Sequence, residues 1–101
     1  MYKKIIKPTE LIEYQKGSID INYFINEGER ALGVFAADRD ILVPTQIAPK
    51  DVSFYILEGK ISIKTEDKIF NLSAQEMLLL PKTTSYEITF LEKSKILLIR
   101  I

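Results

Sequence analysis

Residues 54–63 restrict the fold of this chain more than any other segment, because strict alternation surrounds a tight turn. Phe54 and Ile56 lie on one face of an extended chain, and the residues between them lie on the other face. Glu58 and Gly59 then reverse the chain direction, since glycine accepts the positive φ that a short hairpin needs. Alternation resumes after the turn. The segment therefore predicts two strands joined by a tight hairpin turn.

Short alternating or apolar segments recur along the rest of the sequence, with glycine, proline or charged turn residues between them. Such closely spaced turns are typical of antiparallel sandwiches and barrels, so we predict an all-β fold. Pro44 is expected to end the strand before it, because proline cannot donate to a strand ladder. The predicted strands cover residues 19–25, 31–37, 41–43, 52–57, 61–65, 69–72, 77–80, 85–91 and 96–101, with a further short strand over residues 1–7.

Only residues 8–14 have the features of a helix. Pro8 suits the first helical position, Glu10 lies in the first turn, and Gly17 supplies a stop signal soon afterwards. A helix this short depends on packing against the rest of the protein. We therefore expect at most one short N-terminal helix, no longer than two turns.

The composition indicates one small domain, residues 1–101, without a nucleic-acid or membrane partner. Of the 101 residues, 47% are hydrophobic, which is enough for a single core. Lys and Arg total 14, as do Asp and Glu, so a chain of zero net charge offers no basic face for DNA or RNA. Zero net charge also does little to keep subunits apart. No segment approaches the ~18 apolar residues of a membrane-spanning helix.

Histidine and cysteine are both absent from the sequence. Without cysteine there is no disulfide and no thiolate chemistry, which agrees with an intracellular location. Without histidine, serine catalysis of the usual type lacks its base, and a typical transition-metal site lacks its imidazole ligands. The N-terminus has no apolar run of signal-peptide length. We therefore assign no catalytic residue, metal or cofactor, and we expect a cytoplasmic protein.

Two segments resemble the two sequence motifs of the cupin superfamily. Residues 52–63 resemble the end of the first cupin motif, and residues 72–81 resemble the start of the second. The resemblance implies a small single-domain cupin of the cupin-2 or RmlC-like type, folded as an antiparallel double-stranded β-helix, the jelly-roll barrel. It also implies a homodimer. Aromatic residues exceed what a small barrel needs, and some of them are expected at a dimer interface: Tyr2, Tyr14, Tyr23, Phe24, Phe35 and Tyr55.

The cupin motifs also indicate where the metal ligands of that family would fall. Counting back from Gly59 places the family's glutamate at Val52, and counting on from Pro81 places its last histidine at Tyr86. The first two histidines fall on Gln46 and Ala48 with the shorter gap of the motif, or on Thr45 and Ile47 with the longer gap. None of these positions keeps a metal ligand of the family. The resemblance therefore implies the barrel without its metal site.

The same positions mark the interior of the predicted barrel. Gln46 and Tyr86 are expected to point inward, where they either orient a small ligand or fill the barrel and satisfy each other or a buried water. The apolar positions around them form either a hydrophobic ligand pocket or an ordinary core. The candidate ligand-binding residues are Gln46, Ala48, Val52, Phe54, Ile56, Tyr86 and Ile88.

Three functions are compatible with the sequence. The preferred one is a metal-free binding or structural domain that holds a small organic ligand in its barrel. The alternative is a metal-independent isomerase or epimerase that uses Tyr86 as acid and base; Glu87 is the nearest carboxylate, but alternation turns it away from Tyr86. A third is the sensor half of a transcription factor, which the missing basic patch and helix-turn-helix disfavour.

Overall fold

A computed structural model describes residues 4–101, and their regular secondary structure is all β-strand apart from one 3-10 turn. The predicted all-β class is therefore confirmed. Nine strands are formed among the described residues: β1 Ile19–Glu27, β2 Arg30–Ala37, β3 Leu42–Ile47, β4 Val52–Glu58, β5 Lys60–Thr65, β6 Ile69–Ser73, β7 Met77–Leu80, β8 Ser85–Phe90 and β9 Ser94–Arg100.

The strands form two antiparallel sheets that pack against each other. The first sheet has five strands in the order β1-β2-β9-β4-β7, and the second has four in the order β3-β8-β5-β6. Alternate residues of each strand point to the space between the sheets, where they form the main core. The central members of that core are Phe54, Ile56, Ile61, Ile63, Ile88, Phe90 and Ile96, each no more than 1% exposed.

The predicted hairpin at residues 54–63 is wrong in its pairing, although both strands are present. β4 pairs with β7 and β9 in the first sheet, whereas β5 pairs with β6 and β8 in the second. Gly59 has the expected positive φ of +96°, but it turns the chain from one sheet into the other. Alternation sets which face of a strand is buried; it does not set which strand lies alongside.

Gly59 also sits against the last turn of the chain. A Cβ at this position would overlap the Lys93 carbonyl oxygen and Ser94 Oγ. Ser94 is fully buried; its hydroxyl accepts a hydrogen bond from the Lys60 N–H at 3.1 Å and donates one to the Glu92 carbonyl at 2.8 Å. The missing side chain of Gly59 therefore lets two turns meet.

The predicted N-terminal helix is reduced to a single 3-10 turn, Pro8–Glu10. The residues after it are irregular and bury Ile12 against Val34 and Ala36 on the outer face of the first sheet. β2 is thus covered on both faces, as its apolar sequence predicts.

Of the strand predicted at residues 1–7, residues 4–7 are not in a strand and the first three lie outside the described residues. No helix within residues 4–101 is long and apolar enough to cross a bilayer.

Pro44 does not end β3, contrary to the prediction. The strand continues to Ile47, and its register against β8 shifts between Val43 and Gln46. β3 lies at the edge of its sheet, where a missing N–H costs no ladder hydrogen bond. This register shift, a β-bulge, accommodates Pro44 within the strand. Beyond the bulge, Gln46 lies opposite Tyr86.

Tyr14 ties the N-terminal segment to the first sheet. Its hydroxyl donates to Glu58 Oε1 at 2.7 Å, and Lys95 Nζ lies 5.1 Å from the centre of its ring. Lys95 also donates to the Thr9 carbonyl at 2.7 Å. Burial, followed by the hydrogen bond to Glu58, raises the pKa of the Tyr14 phenol well above its usual value. This aromatic residue thus packs within the chain, where the sequence alone suggested an interface.

Candidate functional site

A cavity of about 330 Å³ lies between the two sheets. The walls come from β1, β2, β4 and β9 of the first sheet and from β3 and β8 of the second. Most of the lining is apolar, and four residues carry polar groups. The lining residues among those described are Ile19, Ile21, Tyr23, Phe35, Leu42, Val43, Pro44, Gln46, Phe54, Tyr86, Ile88, Leu98 and Arg100.

Strand β1 supplies one wall through alternate residues. Ile21 lies opposite Phe35 and Tyr23 lies opposite Gly33, so their side chains share the inner face of the sheet. A Cβ on Gly33 would lie 2.9 Å from Cδ1 of the Tyr23 ring. Glycine at this position therefore leaves room for the ring to lie across the neighbouring strand.

Gln46 and Tyr86 are direct cross-strand partners on β3 and β8, so the pair predicted from the sequence is brought together. Tyr86 is buried, and its ring meets the Phe54 ring edge-on at 5.4 Å between centroids. Gln46 is exposed at the mouth of the cavity. Neither side chain hydrogen-bonds to the other, and no side-chain hydrogen bond within residues 4–101 involves the Tyr86 hydroxyl. No fully buried side-chain oxygen or nitrogen among these residues lacks a partner, so the Tyr86 oxygen is open to solvent and therefore available to a ligand.

The phenol of Tyr86 is held in its neutral form. Burial raises its pKa above the usual value; the nearby Arg100 cation opposes that rise and Tyr23 adds to it. The net direction is upward. At neutral pH Tyr86 is therefore a hydrogen-bond donor, and its phenolate is disfavoured as a base.

Arg100 brings the one positive charge among the described residues of the cavity lining. It lies opposite Val52 in the register of β9 and β4, and it is half-buried. Its Nε donates to the carbonyl oxygen of Glu29 at 2.7 Å. Across the described part of the chain, Arg100 takes part in no ion pair with a carboxylate.

Four of the seven candidate residues line the cavity and three do not. Gln46, Phe54, Tyr86 and Ile88 are in its walls. The other three lie in the packed core instead: Ala48, Val52 and Ile56, each no more than 2% exposed. A role in ligand binding stays a prediction for all seven.

Sequence reasoning missed Tyr23 and Arg100. The signal for Arg100 was present, since alternation along β9 places Ser94, Ile96 and Leu98 inward and reaches Arg100 two residues later. Tyr23 and Phe35, considered from the sequence for a dimer interface, line the cavity. Tyr2, another of those aromatics, lies outside the described residues.

No protein-family model matches this sequence, and no curated protein matches it. Solved structures do match its fold. A conserved protein of unknown function from Streptococcus pyogenes superimposes with a TM-score of 0.91 at 15% identity, covering 100% of this chain and 89% of that one. A cupin superfamily protein from Desulfitobacterium hafniense gives a TM-score of 0.89 at 18% identity, over 98% and 91% of the two chains. This chain has the cupin fold.

A cupin-2 conserved barrel domain protein from Leptotrichia buccalis agrees with this assignment. It superimposes with a TM-score of 0.86 at 22% identity, covering 92% of this chain and 45% of the other. The jelly-roll barrel that the two motifs implied is thereby confirmed. At these identities the comparison concerns the cupin fold alone.

The residues at the cupin metal positions do not fit a metal ion. Gln46 and Tyr86 offer an amide oxygen and a protonated phenol, and Ala48 and Val52 offer no donor. The longer motif gap is disfavoured, because Ile47 is 68% exposed. Divalent transition metals in proteins are held by imidazole, thiolate or carboxylate groups. No group of three or more such side chains capable of holding a metal occurs within residues 4–101.

Proposed function

We propose that this protein is a metal-free cupin-fold binding domain that holds a small organic molecule in the cavity between its sheets. We also propose that residues 1–101 make up one such domain and that it works in the cytoplasm. The supporting observation is the cavity, whose largely apolar walls include the Tyr86 phenol, a group that makes no side-chain hydrogen bond within residues 4–101. Its volume of about 330 Å³ lies at the lower end of the range of about 300–1,000 Å³ typical of small-molecule sites.

The alternative of an isomerase or epimerase with Tyr86 as acid and base has less support. The raised pKa of Tyr86 opposes proton abstraction at neutral pH. Glu87, the carboxylate nearest in sequence, lies on the other face of β8, where its Oε2 accepts a hydrogen bond from Thr45 Oγ1 at 3.4 Å. No carboxylate occurs among the described residues of the cavity lining. Ligand binding therefore requires only the side chains found in the cavity lining, whereas proton abstraction would require a base that the described lining lacks.

A thermal-shift screen with a metabolite library tests the binding function. A ligand at about 100 times its Kd stabilises a protein by about 2.7 kcal/mol, which raises the Tm of a domain of this size by about 10–20 °C. Ile21→Trp is expected to abolish the shift, because the larger indole side chain would block ligand entry at the cavity mouth. Ile21 lines the cavity and is 46% exposed, so the fold should accept the larger side chain. Ile69→Trp is the matched control, since Ile69 is 57% exposed and outside the cavity.

Two outcomes of this screen would contradict the binding function. One is a library in which no compound raises the Tm of the unmodified protein. The other is a set of hits that survive Ile21→Trp unchanged, because those compounds would then bind elsewhere. Loss of the shift in Ile21→Trp together with its retention in Ile69→Trp supports the cavity as the site.

We further propose that the protein is a homodimer joined through the outer face of the first sheet. The chain has zero net charge, so its copies do not repel each other strongly. Met77 and Leu79 point outward from the edge strand β7 and are 49% and 69% exposed. The register places further apolar side chains in line with them on the same face: Tyr55, Leu97 and Ile99. A second copy of this face would cover these side chains.

Light scattering at micromolar concentration checks the dimer. The expected mass is twice the 11.6 kDa of one chain. Leu79→Lys is expected to shift the mass toward that of a monomer, because it places a charge in the apolar face. Ile69→Lys, on the edge strand β6 of the other sheet, is the control and should leave the dimer intact. A monomer mass for the unmodified protein would rule out this assembly.

A further inference from the structure

The polar groups of the cavity share one property: each can donate a hydrogen bond. Arg100 contributes a guanidinium cation, Gln46 an amide, and Tyr23 and Tyr86 contribute phenols. Tyr86 stays protonated because burial disfavours its charged form. The phenols and the amide can also accept hydrogen bonds, but Arg100 only donates, and carboxylates are absent from the described residues of the lining. A ligand that fits these groups therefore brings acceptor atoms.

The charge of Arg100 has no counter-ion in the described part of the chain. The five ion pairs within residues 4–101 involve other side chains. Removing a cation partly from water costs free energy, and an anion beside the cation offsets part of that cost. The hydrogen bond from Nε to the Glu29 carbonyl, 2.7 Å long, orients the guanidinium, and neither Nη nitrogen makes a side-chain hydrogen bond or ion pair within residues 4–101. The cavity thus presents one oriented positive charge.

We propose that the cavity binds the carboxylate group of a small organic acid, held by the Nη nitrogens of Arg100 and by the hydroxyl of Tyr86. The apolar body of the acid packs against the aromatic and aliphatic wall, which includes Phe35, Phe54 and Ile88. Arg100 and Tyr86 line the same cavity: Arg100 lies opposite Val52 of β4, and the Tyr86 ring packs against Phe54, two residues further along that strand. This inference rests on the proposed binding function and names its ligand class.

A carboxylate suits this cavity better than a phosphate does. The planar guanidinium matches the two oxygens of a carboxylate with two parallel hydrogen bonds. A phosphate ester carries about two negative charges at neutral pH, and the described lining offers a single cation and no further lysine or arginine. The largely apolar wall also favours a ligand whose polar part is confined to one end.

Paired probes test the ligand class directly. We would titrate the full chain with benzoate and with hexanoate, each beside its neutral amide, and add inorganic phosphate as a third kind of anion. Chemical shifts of the protein's backbone N–H groups, measured by NMR during the titration, give the Kd of each probe and identify the residues that it affects. The carboxylates are expected to bind about tenfold more tightly than the matched amides, because the charged hydrogen bonds to Arg100 are lost in the amides.

Variants then assign the preference to Arg100. Arg100→Met is expected to remove the tenfold difference between benzoate and benzamide while leaving the affinity for benzamide nearly unchanged. Arg100→Lys keeps the charge without the planar fork and should retain part of the preference. Arg39→Met is the control, because Arg39 is exposed, pairs with Asp40 and is outside the cavity lining. It should bind every probe as the unmodified protein does.

The outcomes separate this inference from the proposed function. If the amides bind as tightly as the carboxylates, or if Arg100→Met keeps the preference, the carboxylate site is excluded while the cavity remains a binding site. Tighter binding of inorganic phosphate than of either carboxylate would also overturn it. If no probe binds and the metabolite screen also finds no ligand, the binding function itself fails.

Discussion

Gly59→Ala is expected to lower the free energy of unfolding by about 3 kcal/mol or more. The first cause is the backbone, because φ at Gly59 is +96°, a value that L side chains rarely adopt. The second is contact, since a Cβ would overlap the Lys93 carbonyl oxygen and the side chain of Ser94. Both groups are part of a turn held by hydrogen bonds to Lys60, so neither moves freely. Urea unfolding measured by circular dichroism gives the free energy.

Gly17→Ala is the matched control for this prediction. Gly17 has a similar positive φ of +72°, yet no atom lies within 4 Å of the position that a Cβ would take. Its substitution should therefore cost only the backbone strain, about 1 kcal/mol. Equal losses for the two variants would show that the contact between Gly59 and Ser94 contributes nothing and that the corner between the sheets is looser than the structure indicates.

Phe54→Ala is expected to lower the free energy of unfolding by about 3–5 kcal/mol. Phe54 is 1% exposed, lies in the main core and meets the Tyr86 ring edge-on. Removing the ring loses the free energy gained by burying it and leaves an empty volume next to the existing cavity. The packed strands can relax only partly to fill the new volume. Calorimetry should show the Tm falling by more than about 15 °C.

Two further variants make the Phe54 result interpretable. Phe54→Leu keeps most of the apolar volume and is expected to lose less than half as much free energy. Ile69→Ala removes apolar atoms from a side chain that is 57% exposed, and it should change the free energy by no more than about 0.5 kcal/mol. A loss below about 1 kcal/mol for Phe54→Ala would mean that Phe54 does not support the core between the sheets.

The position of the candidate site was partly predictable. Counting within the cupin motifs selected Gln46 and Tyr86, and they lie opposite each other at one wall of the cavity. The same counting selected Val52, which is packed in the core outside the cavity. The motif gives the position of a residue along its strand. How near that residue comes to the cavity depends on how the opposite sheet is curved and packed.

The chemistry of the site depends most on a residue that no motif marked. Arg100 ends β9, and β9 lies between β2 and β4 in the first sheet. Its partners in the register are Ala31 and Val52, which are distant in sequence from it and from each other. Alternation along the strand indicates that Arg100 points inward. Only the pairing of these strands shows that it reaches the cavity that contains Tyr86.

The sequence by itself determined most of the strands, the faces they bury and the lack of imidazole ligands, because these depend on side-chain alternation and composition. Only the tertiary structure decided that β4 and β5 belong to different sheets across Gly59, that β3 continues past Pro44, and that a cation without a counter-ion in the described residues enters the cavity. The physical reason is range. Alternation is a property of neighbouring residues, whereas strand pairing and the closure of a cavity are set by contacts between residues far apart along the chain.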